Sequence, residues 1–305
     1  MPEPDLHALL VSWEIELKAQ RKSPGTIGVY LLGVRQYLAW CAKVGRPAAV
    51  DRKAVTAFIA DLLSDEYDEH GQLIRGGAEA NTAIARQLAL RRFTAWLAEE
   101  GEIDADPLLG IKPPKAGQKV VAPLTPDQLV ALIKACEGKG FRDRRDEAIV
   151  RFIAETGARA GEVVAMTVPD TDIREGVAVV QRGKGRRVPF GPQTGRAVDR
   201  YLRMRRSHRL ADTPRLWLGD RGKGFGYDGL LTALQRRAEA AGIEGFHPHR
   251  LRHTFADRWL SAEGSESGLL AVAGWSDRRM LDRYTKARRE ARTAEEARRL
   301  GLGDL

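Results

Sequence analysis

Between Asp106 and Pro123 the chain reads D-P-L-L-G-I-K-P-P-K-A-G-Q-K-V-V-A-P. Its prolines, glycines and lysines follow no apolar period, so the stretch reads as a linker between two folding units. At the ~100–200 residues typical of a domain, two units are also what 305 residues accommodate. The division is therefore 1–105, a linker 106–123, and 124–305.

Residues 1–105 carry helical spacing throughout. Ile27, Tyr30, Leu31, Val34, Tyr37, Leu38 and Cys41 recur at three- and four-residue steps and form one apolar stripe. Ser23 and Pro24 supply an N-cap and a first-turn proline, and Asp51 can cap the next helix. With a helix around Leu6–Lys18 and another through Ile84, Phe93 and Leu97, the unit is predicted to be a bundle of four or five helices.

The second unit opens on Thr125-Pro126-Asp127-Gln128, a capping box. Helices are predicted to about Cys136 and over Asp146–Glu155. Short strands at Val177–Gln181 and Arg187–Phe190 flank the glycine turn Arg182-Gly183-Lys184-Gly185 and form a hairpin. Helices resume at about Gly195–Leu210, Tyr227–Ala241, His249–Ala262, Ser267–Ala273 and Asp277–Tyr284. A polar, helix-patterned tail runs from about 287. The fold class is thus mainly α with a small β-sheet: a helical bundle followed by an α+β domain.

Charge narrows the partner. The chain carries a formal charge of +9. Residues 1–110 hold 12 Lys+Arg against 16 Asp+Glu, and 111–305 hold 38 against 25, so the second unit carries the whole excess. Such an excess favours a polyanion, nucleic acid before an anionic membrane. The start, Met1-Pro2-Glu3-Pro4-Asp5, lacks the basic region of a signal peptide, and no run of ~18 apolar residues could span a bilayer. Cys41 and Cys136 sit in helical apolar patterns and read as core, with no Cys/His spacing for zinc. So few cysteines fit a reducing compartment.

Five segments of the second unit carry chemistry when taken together. In Thr156-Gly157-Ala158-Arg159-Ala160-Gly161-Glu162 a helix is predicted to end at Gly157, which sets the Arg159 guanidinium beside free backbone N–H groups at the next helix start. Lys184 lies at the hairpin tip and is the hairpin's only lysine. The neighbouring Arg182, Arg186 and Arg187 hold their protons too tightly to act as acids. His249 and Arg252, three apart after Pro248, share a face near a helix start, and His253 is one turn from His249. Trp275 follows Ala273-Gly274 and can donate a hydrogen bond but not titrate. Tyr284 stands nine residues later, just before the polar tail. Taken singly, each has an ordinary structural reading: a capped surface arginine, a solvated lysine, a hydrogen-bonded histidine, a packed aromatic.

In this order the five segments resemble the tyrosine recombinases, the phage integrase and Xer-like family. That family shows an Arg in T-G-x-R-x-x-E, a Lys on a β-hairpin, H-x-x-R, a His or Trp, and a Tyr nine residues on. The matching residues here are Arg159 with Glu162, Lys184, His249 with Arg252, Trp275, and Tyr284. Trp275 departs from most Xer-like members, which have His there. The helical first unit resembles the family's core-site DNA-binding domain, a SAM-like bundle, and the second its catalytic domain.

The resemblance implies site-specific recombination, by integration, excision or resolution, through a 3′-phosphotyrosyl intermediate. Tyr284 is then the nucleophile, Arg159 and Arg252 the phosphate clamp, Trp275 an N–H donor, His249 the base and Lys184 the acid for the leaving 5′-oxygen. Glu162, acceptor-only when ionised, is expected to orient His249 or an arginine, and His253 to support the site. No acidic cluster offers magnesium ligands and two arginines can take a metal's electrostatic role, so neither metal nor cofactor is expected. Double-stranded DNA is the expected partner, with a homotetramer in synapsis, docking of the tail on a neighbour, and an accessory DNA-bending or directionality protein as an open addition. The expected location is the cytoplasm, on the nucleoid, in a prokaryote or phage-infected host. The alternatives are a type IB-like topoisomerase, which shares this chemistry, and a catalytically silent DNA-binding regulator.

Overall fold

Helix α1 (Leu6–Ala19) starts on Asp5, whose carboxylate accepts the N–H groups of His7 and Ala8. Helix α2 (Pro24–Lys43) starts on Ser23, with Pro24 in its first turn, and α3 (Arg52–Leu63) on Asp51. Each cap satisfies donors that a helix start leaves open. With α4 (Ala80–Glu99) these helices bury Trp13, Tyr37, Leu90, Phe93 and Leu97. The Trp13 ring lies 5.0 Å from Phe93, and Tyr37 meets Phe58 edge-on at 5.5 Å. The computed structural model describes residues 4–70, 72–115, 122–181, 185–275, 277 and 281. The chain divides into two compact units, 1–119 and 120–305.

A hairpin stands between α3 and α4 where the sequence pattern predicts none: β1 (Glu66–Tyr67) pairs antiparallel with β2 (Leu73–Arg75). Its strands are two and three residues long, and Tyr67, Leu73 and Ile74 are all exposed. No inside-outside alternation exists to be read. Arg75 holds Glu66 at 3.1 Å, and the Asp68 carboxylate accepts the N–H groups of His70 and Gln72.

The second unit is built round α6 (Phe141–Thr156), whose Ile149, Val150, Phe152 and Ile153 are fully buried. Against it pack α5 (Pro126–Lys134), α7 (Ala160–Ala165), α8 (Pro192–Arg205), α9 (Tyr227–Ala240) and α10 (Pro248–Ser261). The α6 helix starts at Phe141, more than a turn earlier than predicted, and the Asp143 carboxylate in its first turn accepts the Gly140 N–H. The polar run Arg144-Arg145-Asp146-Glu147 hides that turn from hydropathy. Yet Arg145, Asp146 and Glu147 are buried, held by pairs such as Arg237–Asp146 at 2.9 Å and Arg200–Glu147 at 2.9 Å. Likewise α8 stops short of Leu210, because the buried Arg205 guanidinium donates to the carbonyls of Ala211, Thr213, Arg215 and Leu216 and turns the chain back.

A three-stranded antiparallel sheet covers one side in the order β3 (Thr171–Asp172), β4 (Val177–Val180), β5 (Arg186–Pro189). Val180 faces Arg186 and Ala178 faces Val188 across the β4–β5 pair. The predicted hairpin is present, with β5 beginning one residue earlier than expected. Helix α11 (Glu266–Ala273) follows α10. Phe255, Leu260, Leu269, Ala273, Trp275 and Leu281 form a small separate core there. The helix predicted over Asp277–Tyr284, the tail from 287, and Lys184 lie outside the described residues, apart from Asp277 and Leu281.

The α6 helix ends on Gly157 in the left-handed region (φ 62°), and a Cβ there would stand 2.3 Å from the Phe255 ring. Gly157→Ala therefore combines backbone strain with overpacking, and an expected loss of about 2–4 kcal/mol follows. Urea unfolding of the two proteins measures it. An unchanged midpoint would mean that the α6–α10 contact is looser than described.

Candidate active site

Arg159 is the N-cap of α7, one residue beyond the Gly157–Ala158 turn. Glu162, in the first turn of α7, reaches back and accepts the Arg159 backbone N–H at 2.8 Å. The expectation of free N–H groups beside this guanidinium is thus corrected: the carboxylate three residues on takes Arg159's own N–H. The same carboxylate accepts Arg159 Nη1 at 2.9 Å and Arg186 Nη1 and Nη2 at 2.8 and 2.9 Å. Glu162 thus bonds two arginines, and one of them, Arg186, has no role in the sequence reading beyond its being too basic to act as an acid.

The Glu162 side chain is 1% exposed. Burial alone would raise its pKa. The Arg186 hydrogen bonds, the Arg159 N–H, the Arg186 charge and the Arg159 side-chain bond outweigh burial and bring it down to about 2. It is an anion at neutral pH.

The end of α11 supplies the other half of the site. Gly274 (φ 63°) closes the helix, with its N–H on the Ala271 carbonyl and the Trp275 N–H on that of Leu270. This cap leaves successive carbonyls pointing outward. Val272 O accepts Arg186 Nε at 2.7 Å, Ala273 O accepts Arg252 Nη2 at 2.6 Å, and Gly274 O accepts Arg159 Nη2 at 3.0 Å. A Cβ on Gly274 would approach the Arg186 guanidinium to 3.0 Å, so glycine serves both the turn and the contact. Arg252 is 1% exposed, and its other terminal nitrogen donates to Gly157 O. Its guanidinium carbon lies 5.1 Å from the centre of the Trp275 ring, within cation–π range.

The structure therefore gathers Arg159, Glu162, Arg252 and Trp275 from three segments of the sequence. Arg159, Arg186, Gly274 and Trp275 line an open cleft of about 480 Å³. His249 is exposed and His253 half-buried on α10, their rings edge to face at 4.7 Å. Neighbouring His247 is held below its usual pKa by burial and by Arg250. Lys184 and Tyr284 lie outside the described residues. The residue missed, Arg186, did leave a signal. Strand alternation puts it on the inward face with Val188, while Arg187 is exposed. A larger hollow of about 1060 Å³ between the start of α6 and the length of α9 is walled by Arg237–Asp143, Arg237–Asp146 and Arg142–Asp220 pairs, whose charges already answer one another.

A mainly helical unit with a short sheet, and basic side chains gathered on one helix end, set the class. Residues 123–291 match the family described as "Phage integrase family", more than half of the chain, and the chain belongs to that family. It is similar to "Tyrosine recombinase XerC" of Pseudomonas fluorescens, 29% identical over 279 residues that span 88% of each chain. It is also similar to "Tyrosine recombinase XerD" of Ralstonia nicotianae, 29% identical and covering 87% of this chain and 84% of that one. In fold it resembles the XerH site-specific recombinase bound to a palindromic difH substrate in a post-cleavage complex, with TM-score 0.70, 16% identity, 92% of this chain and 81% of that one. It also resembles a lambda integrase dimer bound to a core site, with TM-score 0.67, 17% identity, 92% of this chain and 76% of that one. Among the described residues no helix is long and apolar enough to cross a membrane.

Glu162 has a depressed pKa, so its ionised form stabilises the fold fully above the unfolded value of 4.5 and loses that contribution as pH falls toward about 2. Glu162→Gln is expected to be less stable at neutral pH and to lack this part of the acid slope. Urea unfolding from pH about 6 down to about 2.5 compares the two proteins. Parallel slopes would show that Glu162 titrates normally in the fold.

Proposed function

We propose that the chain cuts and rejoins duplex DNA at a specific site through a covalent bond between Tyr284 and a DNA 3′-phosphate. The chain is a tyrosine recombinase, a DNA breaking-rejoining enzyme of site-specific recombination. Neither a topoisomerase nor a silent regulator is favoured. One observation supports the chemistry best: Arg159 and Arg252, far apart in sequence, are held on adjacent carbonyls at the end of α11, with Trp275 against Arg252.

In this reading the phenolic oxygen of Tyr284 attacks the scissile phosphorus and the bond to the 5′-oxygen breaks. The products are a 3′-phosphotyrosine and a 5′-hydroxyl, and attack by a 5′-hydroxyl reverses the step. The phosphodiester energy stays in the covalent link, so religation needs no nucleotide cofactor. Negative charge grows on the non-bridging oxygens, and Arg159 and Arg252 stabilise it, since guanidinium keeps its charge and binds oxygens in pairs. Arg159, whose side chain is 28% exposed, offers the open face. Trp275 adds a donor that cannot shuttle protons. Tyrosine at its usual pKa of ~10 needs a base, and His249, exposed in the first turn of α10, is the candidate. Lys184 protonates the leaving 5′-oxygen. His253 supports His249.

The proposal extends to assembly. The first unit holds the core site, 106–123 links it to the catalytic domain 124–305, and four copies pair two sites in synapsis, with the tail from about 287 on a neighbour. The chain works on the nucleoid in the cytoplasm, with or without a DNA-bending or directionality protein. Sedimentation of a two-site complex tests the stoichiometry, and one holding only two copies would overturn the tetramer.

Tyr284→Phe is expected to abolish covalent capture of a nicked duplex carrying the site that the chain selects from a randomised pool, with binding unchanged. Lys184→Ala is expected to capture slowly, and to recover when the leaving oxygen is replaced by sulfur, which departs unprotonated. Denaturing gels read both. A covalent adduct with the Tyr284→Phe protein would refute the nucleophile, and failure of sulfur to rescue Lys184→Ala would refute the acid.

A further inference from the structure

We infer that Arg186 is a positioning residue for strand cleavage: it locks Glu162 to the end of α11 and through Glu162 sets the guanidinium of Arg159. The inference rests on the reading of Arg159 as a phosphate clamp and names what holds that clamp in place.

The geometry separates the two arginines. Arg186 spends all three of its nitrogens inside the protein, Nη1 and Nη2 on the two Glu162 oxygens and Nε on Val272 O. Its flat fork meets the carboxylate two bonds to two, the arrangement that fixes orientation as well as distance. Its side chain is 16% exposed, against 28% for Arg159. Arg159 makes only one side-chain bond to Glu162 and one to Gly274 O, and its Nε is not spent on either. Both line the cleft, but Arg186 has every guanidinium nitrogen bonded to the frame, while Arg159 is more exposed and keeps its Nε off these partners.

Glu162 ties them together. Its Oε1 accepts Nη1 of both guanidiniums, and its Oε2 accepts both Arg186 Nη2 and the Arg159 backbone N–H. The groups facing this carboxylate come from the α6–α7 junction, as Arg159, and from β5, as Arg186. Without Arg186 a buried anion keeps Arg159 as its one cation among the described residues. It then either draws that guanidinium wholly onto itself or takes up a proton. Both outcomes move Arg159 off the position it shares between Glu162 and Gly274. Displacement of a clamping group by about 1 Å is enough to cost roughly 10²-fold in rate.

The experiment measures single-turnover covalent capture by the full chain on the nicked selected-site duplex, at saturating protein, for the unaltered protein, Arg186→Gln, Arg186→Lys and Arg187→Gln. If the unaltered chain captures no DNA, the proposed function itself fails, and the inference with it. If it does capture DNA, Arg186→Gln is expected to be slowed roughly 10²-fold at pH about 7.5 with unchanged DNA affinity. Arg186→Lys is expected to recover at most about a tenth of the rate, because an ammonium cannot grip both oxygens and Val272 O. Arg187→Gln, on the outward face, is expected to keep the full rate.

The pH profile separates positioning from a general loosening of the fold. In the unaltered protein the Glu162 pKa, lowered to about 2, lies well below the assayed pH of about 5 to 7. Removing Arg186 raises the Glu162 pKa, so the variants should show a new acid limb, their rates falling as pH drops from about 7 to about 5. A rate in Arg186→Lys and Arg186→Gln equal to that of the unaltered protein overturns the inference. So does a loss that is the same at every pH, or one that appears only as weaker DNA binding.

Discussion

Three carbonyls in succession, those of Val272, Ala273 and Gly274, each accept a different arginine at the C-terminal end of α11. A helix end leaves its last carbonyls without partners and carries the negative pole of its dipole, so it is a natural seat for cations. Here the cations come from β5, α10 and the α6–α7 junction. The packing of those elements is thereby tied to the short helix that leads toward Tyr284. Gly274 makes the arrangement sterically feasible, because any side chain at that turn would press on Arg186. Gly157 does the same service at the other side, where its carbonyl takes Arg252 and its missing side chain admits Phe255.

Three guanidiniums so close would repel one another without a counter-charge. Glu162 supplies it, buried and held ionised by the arginines it binds. Its negative charge answers Arg159 and Arg186, while Arg252, the most buried of the three, rests on two carbonyls and the Trp275 ring. Carbonyl dipoles hold a guanidinium without neutralising it. In the proposed reading, that difference keeps positive charge available for a phosphate. On that reading the frame is electrostatically preorganised, and little has to move when charge develops on the phosphate.

Much of this was legible in the sequence because it is local. The caps at Ser23, Asp51 and Thr125 lie within three residues of the donors they satisfy, and the stripe through Ile27, Val34 and Cys41 lies on one helix. The motif arginines and Trp275 were legible as a set only through their order along the chain. What stayed hidden depends on distant partners. The run Arg145-Asp146-Glu147 in α6 is polar and yet buried, because Arg237 and Arg200 reach it from other helices. Hairpin β1–β2 is exposed on both faces and has no pattern to show. Arg186 was concealed by one residue of strand register: with β5 begun at Arg187 it reads as part of the turn, and with β5 begun at Arg186 it points inward beside Val188.

The central claim is that this frame presents Arg159 and Arg252 to a phosphate that Tyr284 attacks, with Arg186 kept behind them on Glu162. A crystal structure of the chain on its site, with orthovanadate in place of the scissile phosphate, tests it most directly. The account predicts vanadium bonded to the Tyr284 oxygen, its equatorial oxygens on Arg159 and Arg252, and Arg186 still forked on Glu162. Vanadium bonded to another side chain, or Arg186 turned from Glu162 onto the vanadate, would contradict it.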